Sequence, residues 1–263
     1  MKTNSLFSDI LFREESSLNI FREHLSTKPD FNSLVTVLSH QFYRGDLLIT
    51  ALTHSSFANE MFEARDNERL EFIGDAAIQL VVTSLLVDRY KSFPEGQLSK
   101  FRSSLVNKDA LAELGYLLGL QNSLLVGEGL KNGPLAPSLI ANCFEAVIGA
   151  VYLDGGFDDA KGSFANVLAE YERVVGEEFI QISRLEDFDA KSRLQEECQH
   201  RFGELPEYVV INEFAEGFEI DLRIKGKKIL SHKGVSKKKI QQEIARTLVR
   251  SEFQELSHIT EGV

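Results

Sequence analysis

Residues 67–76 read Asn67-Glu68-Arg69-Leu70-Glu71-Phe72-Ile73-Gly74-Asp75-Ala76. Leu70, Phe72, Ile73, Ala77, Ile78 and the run from Leu80 to Val82 predict a largely buried helix through this stretch. On such a helix Glu68, Glu71 and Asp75 stand at i, i+3 and i+7, on one face. Like charges at that spacing repel, and carboxylates without partners on an apolar helix are costly. A divalent cation resolves both difficulties, because hard cations such as Mg²⁺ take carboxylate oxygens. The same spacing also fits a solvated face, and spacing alone leaves both readings open.

A second stretch offers a partner: Asn142-Cys143-Phe144-Glu145-Ala146-Val147-Ile148-Gly149-Ala150. Asn142 and Glu145 are i and i+3 on another apolar helix. Two such helices facing each other bring Glu71, Asp75, Asn142 and Glu145 together as a metal site in a helical core. Cys143 reads as a small core residue, since no neighbouring base is evident to activate it. Gly127-Glu128-Gly129 lacks the Walker spacing and the Lys-Ser/Thr pair of a phosphate loop. No organic cofactor is expected.

The rest of the 263-residue chain falls into two patterns. From residue 31 to about 170 apolar residues recur at helical spacing in 34–38, 47–52, 70–90, 98–106, 110–118, 140–153 and 157–171. Turn signals such as Pro94-Glu95-Gly96, Asn132-Gly133-Pro134 and Asp154-Gly155-Gly156 separate them. After Arg184-Leu185-Glu186-Asp187 the pattern becomes a short helix (190–202), three alternating stretches (207–213, 218–224, 227–232) and a last helix (236–253). Upstream, Leu6, Ile10, Leu18, Phe21 and Leu25 have roughly helical spacing, broken by Lys28-Pro29-Asp30.

Charge is unevenly spread. Residues 1–186 hold 16 Lys and Arg against 26 Asp and Glu, whereas residues 187–250 hold 13 against 11. The net charge of −11 argues against a simple nucleic-acid binder, but the C-terminal part is locally basic. No apolar run approaches the ~20 residues that span a bilayer, so no membrane is expected. The N-terminus reads as neither signal nor transit peptide. Cys143 and Cys198 have no C-x-x-C spacing, which fits a reducing cytoplasm rather than a zinc site or a disulfide framework.

The string Asn-Glu-Arg-Leu-Glu-Phe-Ile-Gly-Asp closely resembles the signature of the ribonuclease III family. The resemblance extends to Ala51-Leu52-Thr53-His54-Ser55-Ser56-Phe57 before it, where His54 is expected to be structural. It continues through Glu95-Gly96-Gln97-Leu98-Ser99-Lys100, Ser138-Leu139-Ile140-Ala141-Asn142-Cys143-Phe144-Glu145-Ala146 and Tyr152-Leu153-Asp154-Gly155-Gly156. It implies that Glu71 and Glu145 hold the metal together with the residue at 142. The family has Asp there; this chain has Asn142, one negative charge fewer. It further implies that Asp75 and Glu145 are catalytic and that Glu68 and Glu95 line a dimeric cleft.

In the C-terminal part, Asp189-Ala190-Lys191-Ser192-Arg193-Leu194-Gln195-Glu196 resembles the start of a double-stranded RNA-binding domain. Gly234-Val235-Ser236-Lys237-Lys238-Lys239 resembles the lysine cluster that opens its second helix. Gln195 and Glu196 are then expected at a minor groove, and Lys237, Lys238 and Lys239 at phosphates. Two departures stand out: the short acidic loop Glu213-Phe214-Ala215-Glu216-Gly217, and Ile240, Glu243 and Ile244 where alanines are common.

The expectation is thus a multi-domain chain. An all-α ribonuclease III endonuclease domain (31–180) precedes a small α+β (α-β-β-β-α) double-stranded RNA-binding domain (187–253). An N-terminal extension (1–30) and a tail (254–263) flank them. The implied activity is hydrolysis of double-stranded RNA by a cytoplasmic homodimer using Mg²⁺, with Mn²⁺ able to substitute, leaving 5′-phosphate and 3′-hydroxyl ends in RNA processing. Asn142 keeps an alternative open: a dimeric double-stranded RNA-binding protein with weak or lost cleavage.

Overall fold

The computed structural model describes residues 29–61 and 64–259, so the spaced apolar residues between Leu6 and Leu25 lie outside it. The chain divides into two compact units after Ile180.

The first unit is helical: α1 (Pro29–Leu38), α2 (Gly45–Ala51), α3 (Ser55–Glu60), α4 (Glu68–Arg89), α5 (Glu95–Leu105), α6 (Lys108–Leu117), α7 (Leu120–Ser123) and α8 (Pro137–Val175). Pro29 opens α1, where a missing N–H is no loss. The buried Asn67 fastens the start of α4: its amide donates to Ala51 O at 3.1 Å and its N–H to Thr53 O at 2.9 Å. Gly156, at φ +86°, breaks α8 into two helical segments, as the Asp154-Gly155-Gly156 signal predicts.

Helices α4 and α8 are the central pair, and two glycines set their approach. A Cβ on Gly74 would lie 1.8 Å from the carbonyl oxygen of Glu145, and one on Gly149 only 2.2 Å from that of Leu70. Each glycine lets its helix sit against the backbone of the other. Asp75 follows Gly74 directly, and Glu145 lies one turn before Gly149. The close crossing therefore gathers the acidic residues of both helices.

Two expectations change here. By length and composition both α4 and α8 are apolar enough to cross a membrane, against the reading that no such stretch exists. Their apolarity is explained by packing, since they supply much of the helical core, including Leu70, Ile78, Val81, Phe144, Val147 and Ile148. Nor is α4 buried on every apolar position: Phe72 is 80 % exposed and Leu80 55 %, with Val87 also exposed. Periodicity identifies an apolar stripe but not what covers it.

The second unit contains α9 (Ile182–Phe202), the antiparallel sheet β1 (Glu207–Phe214), β2 (Gly217–Ile224) and β3 (Lys227–Gly234) in that order, and α10 (Lys237–Arg250). Ala190, Leu194, Cys198 and Phe202, at i, i+4, i+8 and i+12, face Ile220, Leu222 and Ile224 of β2 and Ile240, Ile244 and Leu248 of α10. The isoleucines at 240 and 244 are thus core residues. Helix α9 begins eight residues before the expected 190. The charged segment at its start is held by Asp187, whose carboxylate meets Arg250 at 3.1 Å and Arg246 at 3.5 Å. A 3₁₀ turn, Gln254–Ile259, places Leu256 in the core, so this part of the expected tail belongs to the unit.

Candidate metal centre

Three helices build the centre. Glu71 lies in the first turn of α4, Asp75 one turn on, and Asn142 and Glu145 on the first segment of α8. The third contributor is Lys108, the first residue of α6. Asn107 caps that helix by accepting the N–H of Ala110 at 3.0 Å, which fixes where Lys108 emerges.

The Lys108 ammonium sits among the acids. Its Nζ is 2.5 Å from Asn142 Oδ1, 3.1 Å from Glu145 Oε2, 3.4 Å from Glu145 Oε1 and 3.6 Å from Glu71 Oε1. Glu145 is the most enclosed member, only 3 % exposed. Burial pushes its carboxyl above the ordinary range; Lys108 opposes this, and the charges of Glu71 and Asp75 add to it. Asp75 is bound instead by Gln79, whose amide donates to both carboxylate oxygens at 3.0 and 3.1 Å.

Three of the four residues expected to meet, Glu71, Asn142 and Glu145, converge on a cation, but the cation is a lysine. Among the described residues, no three or more His, Cys, Asp or Glu side chains are grouped to hold a metal ion as the site stands. The donor chemistry nevertheless fits a hard divalent ion: two carboxylates and an amide oxygen share one positive charge, with a third carboxylate beside them. Glu68 and Glu95 are exposed in the first turns of α4 and α5, and Glu95 accepts from Ser99. Lys108 and Gln79 are the residues that sequence reasoning missed. Lys108 is 34 and 37 residues from its two α8 partners, so no periodicity links them.

Two other residues have structural roles. His54 precedes α3, and its Nδ1 accepts the N–H of Ser56 at 3.2 Å. Cys143 is fully buried against Ala51 O at 3.7 Å, and burial pushes its thiol up, away from nucleophilic use.

In the second unit Gln195 and Glu196 are exposed on α9, and Lys237, Lys238 and Lys239 are exposed in the first turn of α10. Lys191, another residue missed, lies near enough to Lys238 for repulsion, after burial, to lower its pKa. Its Nζ donates to Gln241 Oε1 at 2.8 Å. Lys237 Nζ lies 4.4 Å above the Phe218 ring. The β1–β2 loop is a tight turn at Ala215-Glu216, with Phe214 paired to Gly217.

Comparison with known proteins places these features in a family. Residues 45–171 match the family model described as Ribonuclease-III-like. A "Ribonuclease 3" of Bdellovibrio bacteriovorus is 39 % identical over 235 residues, covering 85 % of this chain and 96 % of the relative. One from Campylobacter jejuni is 37 % identical over 216 residues, covering 80 % and 92 %. A crystallised nuclease domain of Campylobacter jejuni ribonuclease III is 35 % identical, covers 56 % of this chain and 97 % of that chain, and superposes with a TM-score of 0.49. The fold is that of an all-helical nuclease domain followed by an α-β-β-β-α domain of the double-stranded RNA-binding kind. The chain belongs to the ribonuclease III family.

Proposed function

We propose that this chain is an endoribonuclease that hydrolyses double-stranded RNA with a divalent cation, Mg²⁺ or in its place Mn²⁺, leaving 5′-phosphate and 3′-hydroxyl ends. The observation that carries this is the convergence of Glu71, Asn142 and Glu145 oxygens on one positive charge. A divalent ion at that position supplies a water of lowered pKa and neutralises charge on the phosphate. Glu71 and Glu145 contribute anionic oxygens and Asn142 a neutral one. Asp75, oriented through both oxygens by Gln79, is the further carboxylate at the reacting end. Gln195 and Glu196 meet the minor groove, while Lys237, Lys238 and Lys239, with Lys191, meet phosphates.

The active form is proposed to be a homodimer. Its support is the exposed stripe of Phe72, Leu80 and Val87 on α4, apolar surface of the kind that marks contact sites. A sedimentation velocity run giving a monomer in an active preparation would refute the dimer.

A second reading is favoured by two features of one contact. A neutral Asn142 and a resident ammonium both weaken the case for a metal, and a double-stranded RNA-binding protein with poor cleavage would show both. Incubating the full chain with a long RNA duplex, with MgCl2 and with excess EDTA, separates the two. Cleavage confined to the Mg²⁺ sample supports the nuclease; shifted but intact duplex in both supports the binder.

A further inference from the structure

Neither reading gives Lys108 a role of its own, yet its ammonium is surrounded by oxygens of three proposed ligands. Its chain reaches in from solvent, since half of the Lys108 side chain is exposed while the Glu145 side chain is almost wholly enclosed. An ammonium and a divalent ion cannot share this cradle. Both need the Glu145 and Asn142 oxygens, and the two cations repel at such distances. The lysine also answers the electrostatic problem of the metal-free protein, in which Glu71, Asp75 and the buried Glu145 would otherwise repel one another.

We propose that Lys108 is a tethered counter-ion that occupies the metal position in the metal-free protein, so that metal binding is an exchange in which the lysine leaves. The inference deepens the nuclease reading and rests on it. Lys108 is a positioning residue acting on metal occupancy. Four single-bond torsions and an exposed stem let the ammonium swing to water without moving α6. The neutral Asn142 suits this arrangement: it binds the ammonium through a carbonyl oxygen without adding a fourth negative charge to hold it there.

The test uses the full-length protein and MgCl2. In isothermal titration, Lys108→Met, which keeps the stem and removes the charge, should bind Mg²⁺ roughly 10-fold more tightly than wild type, about 1.4 kcal/mol. It should also melt at a lower temperature without metal and gain more from Mg²⁺. Lys108→Arg keeps the charge and should stay within a few fold of wild type. A measurement on wild type alone guards against a poorly folded variant. Acetic anhydride labelling followed by mass spectrometry should show Lys108 more reactive with Mg²⁺ than in EDTA, while Lys131 stays unchanged. If wild type binds Mg²⁺, but Lys108→Met binds no tighter and labelling is indifferent to metal, the exchange is overturned while the nuclease reading stands. If neither protein binds Mg²⁺, both are overturned.

Discussion

At the scale of single residues the centre is a balance of charges in a confined volume. Three carboxylates and one ammonium lie within it, and residue 142, where the family resemblance implies Asp, is Asn142. Restoring the acid, Asn142→Asp, should lower the half-saturating Mg²⁺ concentration for cleavage. Screening and relief of repulsion limit the gain to roughly 5- to 30-fold, or about 1–2 kcal/mol. The new carboxylate also attracts Lys108, so the gain should be larger with Met at position 108 than with Lys, a coupling that a double-mutant cycle measures. Equal or higher Mg²⁺ demand in Asn142→Asp would place residue 142 outside the coordination sphere. This scale was partly legible in the sequence. Glu71 and Asp75 share one helical face and Glu145 stands in an apolar run, so their chemistry and spacing advertise them. Lys108 does not advertise itself, because a lone lysine at a helix start is ordinary until the fold carries it to α8.

At the scale of elements the centre depends on how closely two helices cross. Gly74→Ala puts a methyl where the Glu145 carbonyl oxygen lies, so α4 and α8 must separate. The expected cost is ~1–3 kcal/mol or more, with misplacement of Asp75 and Glu145, read as a lower melting temperature and lost cleavage. A wild-type melting curve for Gly74→Ala would show that the crossing is looser than it looks. In the second unit, Asp221 of β2 offers a pH-dependent check. Burial raises its pKa, but the ion pair with Lys228 at 2.9 Å and the Arg223 charge outweigh it, holding the carboxyl below its ordinary range. A depressed carboxyl pKa stabilises the fold above the unfolded value, and the benefit is lost as pH falls through the folded value. Asp221→Asn should therefore melt lower than wild type near neutrality and match it in strong acid. A constant difference at every pH would deny the ionised pair. The elements themselves were legible: alternation gave three strands and 3.6-residue spacing gave the helices. The start of α9 at Ile182 was not, because a charged segment looks like a linker until Arg246 and Arg250 are found on Asp187. The outward Phe72 was misread for a related reason, since core and contact stripes have the same period.

At the scale of the whole molecule, one unit carries the acidic centre and the other the exposed lysines. The charge asymmetry along the chain, acidic before residue 187 and slightly basic across 187–250, already divided the labour. Phosphate contacts make affinity fall with salt, so the second unit's share of binding should be the salt-sensitive share. A chain ending at Ile180 should still cut duplex RNA at low salt, fail at high salt and bind with a shallower salt dependence. Unchanged affinity across all salt concentrations would mean that the tight Ala215-Glu216 turn and its neighbours have left this unit without a grip on RNA.

Glu145 is the enclosed carboxylate of the centre, and Lys108 reaches it at 3.1 Å. The decisive measurement compares wild type with Glu145→Gln on a long RNA duplex in saturating MgCl2, with RNA binding and melting followed in parallel. Wild type should cut and fall silent in excess EDTA. The Gln variant should bind the duplex and keep its fold while losing cleavage. Cutting by the variant at the wild-type rate, or by wild type in EDTA, would contradict the metal centre described above.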